Sequence, residues 1–177
     1  MLESRPEAVT FALHGPRFGE DRVVLDLLAI DQWRRPVYLA CTVVRDRLPW
    51  IWPYARLDGL AWRLVPSADP QIWDVDHAWT VLSERVPYSG LADTTIPMDR
   101  DSRAMVTNYA GALFQVANAR LQRGDPAACL TTLRFLEEHL PVSRLDVPDD
   151  AFRQLRAQAE ERIEADRQIR RSSKPSP

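Results

Sequence analysis

Glycine is scarce in this chain, with six in 177 residues; cysteine is scarcer, with two, and Lys174 is the single lysine. Each shortage excludes a class of chemistry. Six scattered glycines build neither a phosphate-cradling loop nor a Gly-x-Ser-x-Gly elbow around a nucleophile. Two cysteines cannot form a disulfide scaffold; Cys41 and Cys129 fall in segments that read as strand and helix interior, so two buried thiols are expected, with one bridge between them as the alternative. The histidines, His14, His77 and His139, are too dispersed for a local zinc motif, whose ligands usually pair roughly two to four residues apart. No cofactor motif is present. No apolar run approaches the roughly 20 residues that cross a bilayer, and no basic segment and apolar core of signal-peptide type follow Met1.

What is present describes an ordinary globular composition, 45% hydrophobic and 27% charged. The formal charge of -2 argues against a nucleic-acid partner, because binding to phosphates requires a concentrated basic face. All basic residues except Lys174 are arginines, a skew without functional weight.

The hydrophobic periodicity changes along the chain. Residues 8 to 13 have the β-branched and aromatic content of a short strand, broken by His14-Gly-Pro-Arg-Phe-Gly19. Asp21 can cap a helix with Val23, Val24, Leu27 and Leu28 on one face, ending before Gln32. Pro36 then drives the chain into an extended path, and Val37 to Val44 read as a strand buried on both faces. Residues 45 to 58, where Trp50, Trp52 and Tyr54 alternate around Pro53, fit an edge strand, a core-packed loop or an exposed apolar rim. A second strand, 59 to 65, stops at Pro66 and is expected to pair antiparallel with 37 to 43, the link being too short for a crossover helix.

From residue 74 the period approaches 3.6. Asp74 caps a helix with Val75, Ala78, Trp79, Leu82 and Val86 on one face, ending at Pro87. A loop, 88 to 100, precedes a long helix, 101 to 123, capped by Asp101 and striped by Met105, Tyr109, Ala112, Leu113, Val116, Ala117 and Leu121. Gly124-Asp125-Pro126 turns the chain into a helix that buries Cys129, Leu130, Leu133, Leu136 and Leu140 and closes at Pro141. A last helix, about 149 to 171, faces inward with Phe152, Leu155, Ala159 and Ile163. The expected class is α+β: a small antiparallel sheet packed on helices (1–88), then a helical hairpin and capping helix (89–171), then a disordered tail (172–177). The hairpin 110 to 141 resembles one tetratricopeptide repeat, with Ala117, Gly124, Cys129 and Pro141 in place, Arg120 where a tyrosine is common and Leu133 in place of the usual aromatic; a plain helical bundle is the first reading of this stretch, ahead of a divergent repeat used structurally and a peptide-binding groove.

Three sets of residues are candidates for a site. Arg34 and Arg35, beside Trp33, could hold an anionic group through paired guanidinium donors; the alternative is that Arg35 fixes its own turn through carbonyls, Asp31 or Asp58. The six tryptophans all lie between residues 33 and 79 and form either a saccharide platform or membrane-interface patch, with Trp50 and Trp52 at its centre, or a core. Asp26, Asp31, Asp58 and His77 are the polar groups that could converge on a cleft, although acid and base catalysis needs two such groups at controlled separation.

Taken together, Leu25-Asp26, the run Asp31-Gln-Trp33-Arg-Arg35-Pro36-Val37-Tyr38-Leu39-Ala40 and the run Leu57-Asp58-Gly59-Leu-Ala-Trp62-Arg63-Leu-Val-Pro66 resemble the soluble C-terminal region of a bacterial membrane family whose N-terminal part is similar to protein O-mannosyltransferases. Arg103, Met105 and Asn108 match an element at the start of that family's long helix, and the likeness spans roughly residues 10 to 141. Departures are Asp31 for Asn, Leu39 for Phe, Asp58 for Glu and Trp62 for Tyr. The resemblance implies a noncatalytic accessory domain that packs on a membrane domain or holds a protein partner. Catalysis would reside in the membrane part. It implies the extracytoplasmic face of the inner membrane if the chain is attached to such a part, and the cytoplasm if the chain is complete as given. A carbohydrate-binding module and a small independent enzyme are the rival expectations. The first requires at least two of Trp50, Trp52, Trp62 and Trp73 exposed in a cleft; the second requires a polar pocket around Asp26, Asp31, Asp58 or His77.

Overall fold

The computed structural model describes residues 9, 11, 19–43, 45–69, 73–145, 147 and 149–172. Of the expected strand 8 to 13, the break 14 to 19 and the tail 172 to 177, all but Val9, Phe11, Gly19 and Ser172 lie outside the described residues. The chain forms two compact units, residues 1–74 and 75–177. The helix that follows Asp74 therefore belongs with the helical unit, earlier than the composition change near residue 88 suggests.

In the first unit, α1 (Gly19–Asp31) leads into β1 (Val37–Ala40), and a hairpin of β2 (Ala55–Asp58) and β3 (Ala61–Leu64) completes a three-stranded antiparallel sheet of order β1-β3-β2. The α+β expectation and the antiparallel pairing of the first strand with residues 61 to 64 hold. Three details differ. Strand β1 is four residues long, and only Leu39 in it is buried, because the chain turns at residues 41 to 43 and the sheet keeps one face towards solvent. The ambiguous stretch contributes a strand, β2, joined to β3 by Gly59 and Leu60; Gly59 has φ 63°, the geometry of a tight hairpin with glycine first in the turn. Finally, α1 sits rotated from its expected face: Val24, Leu25 and Leu28 pack on the core, whereas Val23 and Leu27 are exposed.

The reason for that rotation is polar. Asp21 lies in the first turn of α1 rather than at its cap, is buried, and accepts a 2.7 Å hydrogen bond from the Trp50 indole. A bond from a neutral donor to a buried carboxylate contributes about 1.5–3 kcal/mol, so it fixes which face of α1 turns inward. Around it, Leu28, Leu39, Leu48, Ile51, Ala55 and Leu64 form the core, with Phe11, Trp33, Trp52 and Trp62 packed against its edge.

The second unit is helical: α2 (Val75–Thr80), which continues as one π-helical turn over Val81–Arg85, then α3 (Arg100–Gln122), α4 (Pro126–His139) and α5 (Asp149–Ser172). Asp99, not Asp101, caps α3, accepting from the Ser102 N–H at 2.7 Å. Met105 is 62% exposed, outside the stripe assigned to it, and Val106 is buried in its place. The turn into α4 forms as expected, with Gly124 at φ 81° and Asp125 capping through the Ala128 N–H. Ala117, Leu121, Cys129, Leu133, Leu155 and Ala159 interlock α3, α4 and α5, and the Arg162 guanidinium donates to the Leu121 carbonyl at 2.6 Å.

Arg120 ties α2 to this hairpin. Its guanidinium lies 4.5 Å from the centre of the Trp79 ring, donates to the Thr132 hydroxyl at 2.8 Å and pairs with Asp76 at 3.5 Å. The Asp76 carboxylate is largely solvated, so the stacking and the buried hydroxyl bond matter more than the ion pair. A second cluster stacks His139 on Phe135 at 4.0 Å, with Tyr88 edge-on to both.

Two outcomes follow from burial in this unit. Both cysteines are thiols, and burial pushes the Cys129 thiol up to about 11; only its thiolate would react, so Cys129 should resist a disulfide reagent at neutral pH until the chain is unfolded, which a thiol titration with and without denaturant measures. The Tyr88 hydroxyl is buried without a hydrogen-bond partner among the described residues. Tyr88→Phe should therefore leave stability unchanged or raise it by up to about 1 kcal/mol in urea unfolding, and a loss of that size would reveal a partner for the hydroxyl.

Candidate functional site

The residues singled out by the sequence motifs of the first unit gather in two places, the corner between α1 and β1 and the solvent face of the sheet. At the corner, helix α1 ends when Gln32 and Trp33 adopt φ 51° and 60°. Two successive non-glycine residues in the left-handed region cost roughly 1–2 kcal/mol each, so something must hold them there. Asp31 does so. Its carboxylate is buried and accepts from the Arg35 backbone N–H and from Arg35 Nε, both at 2.7 Å, while its carbonyl accepts from the Arg34 N–H at 3.0 Å. The backbone N–H and side chain of Arg35 hold the Asp31 carboxyl below the usual carboxylate range, against the opposing effect of burial. The Gln32 N–H closes the helix on the Leu28 carbonyl at 2.9 Å. Trp33 can then fold back onto Phe11 and the core, and Pro36, exposed, starts the extended path into β1.

Of the two arginines expected to hold an anion, Arg35 commits its Nε to Asp31 and keeps most of its side chain in solvent. Arg34 reaches Gln32 Oε1 at 3.4 Å and is exposed. The turn-fixing role weighed for Arg35 is the one its contacts serve.

On the sheet, direct partners across an antiparallel pair point to the same side. Leu39, Trp62 and Leu57 form one such row, and Val37, Leu64 and Ala55 another, both on the core side. The opposite side carries Tyr38, Arg63 and Arg56 in register, with Asp58 beside them opposite Ala61. Tyr38 is 46% exposed, and its hydroxyl donates to Asp58 Oδ2 at 2.9 Å. Burial first, and then that bond, raise the tyrosine above its ordinary value, with Arg63 opposing. Arg63 is exposed. Arg56 is buried and serves the backbone: it donates to the carbonyls of Pro53, Ala55, Ser67 and Asp69 at 2.8, 2.9, 3.1 and 2.6 Å, which lashes the segment after half-buried Pro66 to the sheet.

The tryptophans do not line an open platform. Trp50 is buried with its indole on Asp21; Trp52 and Trp62 are half-buried, edge to face at 5.4 Å, against the core; Trp73 is half-buried and donates to the Leu57 carbonyl at 2.7 Å. None of these four is exposed. Of the acids, Asp26 is exposed and pairs with Arg22 at 3.7 Å, Asp31 belongs to its turn and Asp58 to Tyr38. His77 is exposed on α2, and Arg103 and Asn108 are half-buried on α3, all in the second unit. Among the described residues, no three His, Cys, Asp or Glu side chains stand close enough to hold a metal ion, and no helix is long and apolar enough to cross a membrane.

Sequence reasoning missed Asp21 as the partner of Trp50, Arg56 as the backbone clamp and Arg120 as the anchor of α2. For Arg56 a signal existed: Asp58-Gly59 is a hairpin dipeptide, and reading it as one places Arg56 on a strand opposite Arg63.

Residues 18–81 match the family described as TMEM260-associated domain 2. The matched segment contains α1, the sheet, and the chain through Val81. No curated protein and no solved structure matches the chain.

The clamp at the corner makes stability depend on pH in a stated direction. A carboxylate whose proton affinity falls on folding stabilises the fold above its unfolded pKa, and the contribution is lost as pH falls through the folded value. Asp31→Asn should therefore be less stable than the parent chain in urea unfolding at neutral pH, with the difference closing as pH drops through and below the carboxylate range. A difference that does not change with pH would mean that packing, not charge, holds the corner.

Proposed function

We propose that this chain is a noncatalytic accessory module of a membrane glycosyltransferase-like protein, and that the Tyr38–Arg63–Asp58 face of the sheet is where it meets a protein or membrane-domain partner. The observation that carries this reading is that face. Among the residues behind the family resemblance, Asp31, Gly59, Pro36 and Trp62 serve turns and core. Tyr38 and Arg63 stand exposed, side by side in register, with the Tyr38 hydroxyl bonded to Asp58. Tyrosine and arginine are the residue types enriched at the energetic centres of protein interfaces, and the bond from Tyr38 to Asp58 holds the ring in place before a partner arrives, which lowers the ordering cost of binding.

Two further points support the reading. The match of residues 18–81 to TMEM260-associated domain 2 covers this face whole. The candidate acids each have a local partner, which leaves little to converge on a substrate. A module of this kind would lie on the extracytoplasmic face of its membrane, and the hairpin of α3 and α4, read as a divergent tetratricopeptide unit, would serve a structural role within the helical unit. The saccharide reading draws no support from the tryptophans, which are buried or half-buried.

The test is site-specific photocrosslinking in the source cells, with benzoylphenylalanine introduced at position 38 and, in a second strain, at position 63. The expected product is an adduct with a polytopic membrane protein from both positions, absent from a control at exposed Asp166. Adducts only with soluble proteins, or none from either position, would overturn the proposal. Tryptophan emission of the purified chain should stay unchanged on titration with oligosaccharides and lipid-linked sugar analogues; a saturable shift would favour the saccharide reading instead.

A further inference from the structure

The two edges of the three-stranded sheet are finished differently. Val65, just beyond β3, donates its N–H to the Tyr54 carbonyl at 2.9 Å. Ala61, Arg63 and Val65 therefore turn their backbone groups towards β2, and Trp62 and Leu64 turn theirs towards β1. The β2 carbonyls that point outward are those of Ala55 and Leu57, and both are taken, by the Arg56 guanidinium at 2.9 Å and the Trp73 indole at 2.7 Å. On β1, Val37 and Leu39 face Leu64 and Trp62 across the ladder. Each peptide unit is planar and trans, with its N–H and C=O on opposite sides. Four groups thus point away from the sheet: the Pro36 carbonyl, the Tyr38 N–H, the Tyr38 carbonyl and the Ala40 N–H. The Ala40 carbonyl, next in the series, is closed on the Val43 N–H at 3.0 Å, and Pro36 has no N–H to offer. Among the described residues no strand lies beyond β1, and none of the four groups has a backbone partner. An edge of this kind is a template for another strand.

We infer that this edge pairs with the same edge of a second copy of the chain, antiparallel about a twofold axis through Tyr38. Along the strand the four groups run acceptor, donor, acceptor, donor; reversed, they run donor, acceptor, donor, acceptor. Two copies centred on Tyr38 therefore satisfy one another completely. Each Tyr38 exchanges N–H and carbonyl with the partner's Tyr38, and each Ala40 N–H meets the partner's Pro36 carbonyl, every contact being made twice as a twofold interface requires. The next bond at either end would join a Pro36 N–H to an Ala40 carbonyl, and there the donor does not exist and the acceptor is already engaged. Moving the axis to Val37 or to Leu39 keeps only two of these four bonds, so the register is set by the backbone itself. The side chains agree with it. The two Tyr38 rings become cross-strand neighbours on the solvent face, a favourable aromatic pair. The two Arg63 side chains stand three strand spacings apart, roughly 14 Å, beyond the roughly 10 Å screening length of 0.1 M salt, so no like charges oppose. So short a ladder buries less than the roughly 800 Å² per partner of a stable complex, which makes the dimer weak and dependent on concentration. This inference uses the edge of β1 and the reading above uses the solvent face, so either can fail alone.

Amide hydrogen exchange of the full chain, followed by NMR from low micromolar to millimolar concentration beside sedimentation equilibrium, reads the edge directly. The Val37 and Leu39 amides, bonded within the sheet, should be protected throughout. The Tyr38 and Ala40 amides should exchange fast in dilute solution and slow in parallel with the dimer fraction. Ala40→Pro removes two of the four bonds between copies and none within the sheet, at an edge position that tolerates proline. Its dimer should be weaker by at least about tenfold, with an unchanged circular dichroism spectrum; if the variant does not fold, exchange in the parent chain still decides. A chain monomeric at every concentration would overturn the inference. So would Tyr38 and Ala40 amides whose exchange ignores concentration: fast throughout, the edge pairs with nothing; slow throughout, another part of the same chain covers it.

Discussion

The first unit depends on one carboxylate. Asp31 closes α1 and, four residues on, grips both the backbone and the side chain of Arg35. Without that grip, Gln32 and Trp33 would have no reason to occupy a region of backbone space that ordinary residues avoid. The consequences spread from there. Placing Trp33 back over Phe11 closes one side of the core, and aiming Pro36 outward sets the start of β1, hence its register: Val37 opposite Leu64 and Leu39 opposite Trp62. A one-residue slip would turn Leu39 into solvent and Tyr38 into the core. The corner therefore decides which residues the sheet presents as well as where the strand begins.

A division of labour among charged residues follows from the same logic. Asp21, Asp31 and Arg56 are buried in the first unit, and each is engaged in one place, Asp21 by an indole, Asp31 by a helix–strand corner and Arg56, through its terminal nitrogens, by a loop. Buried charge persists only where its hydrogen-bonding capacity is met, and meeting it fixes geometry. Tyr38 and Arg63 differ in kind, since both remain solvated. In the second unit Arg120 plays the part that Asp31 plays in the first, with an aromatic ring and a hydroxyl in place of backbone donors.

The legible part of the fold lies in punctuation and period. Pro36, Gly59, Pro66, Gly124-Asp125-Pro126 and Pro141 each sit at the element boundary that their backbone chemistry predicts, and the 3.6-residue stripes of α2, α4 and α5 are buried as spaced. Long-range polar pairing is not legible. Asp21 reads as a cap because it precedes an apolar run, and only the arrival of Trp50, 29 residues later, converts it into a buried acceptor and turns α1 by roughly one residue's rotation. The same event explains why the predicted face Val23, Val24, Leu27, Leu28 splits into an inner and an outer half. The helix carries apolar residues on two sides, and periodicity alone cannot choose between them. Strand β2 escapes for a local reason: four residues are too few to establish alternation, and the Asp58-Gly59 turn that marks its end reads equally well as the start of the next strand.

That choice of face bears on evolution of the surface as well as on folding. A helix needing only one buried side would be expected to carry polar residues on the other, and α1 has Glu20, Arg22 and Asp26 available for it. Val23, Leu27 and Ile30 nevertheless stand between them. Val23 and Ile30 contribute little to the monomer's stability, because most of their surface remains in water in both the folded and unfolded states. Their burial becomes favourable only against a second surface. The buried Asp21–Trp50 bond thus sets more than the core of the first unit: by choosing which side of α1 is hidden, it also determines which side stays in solvent.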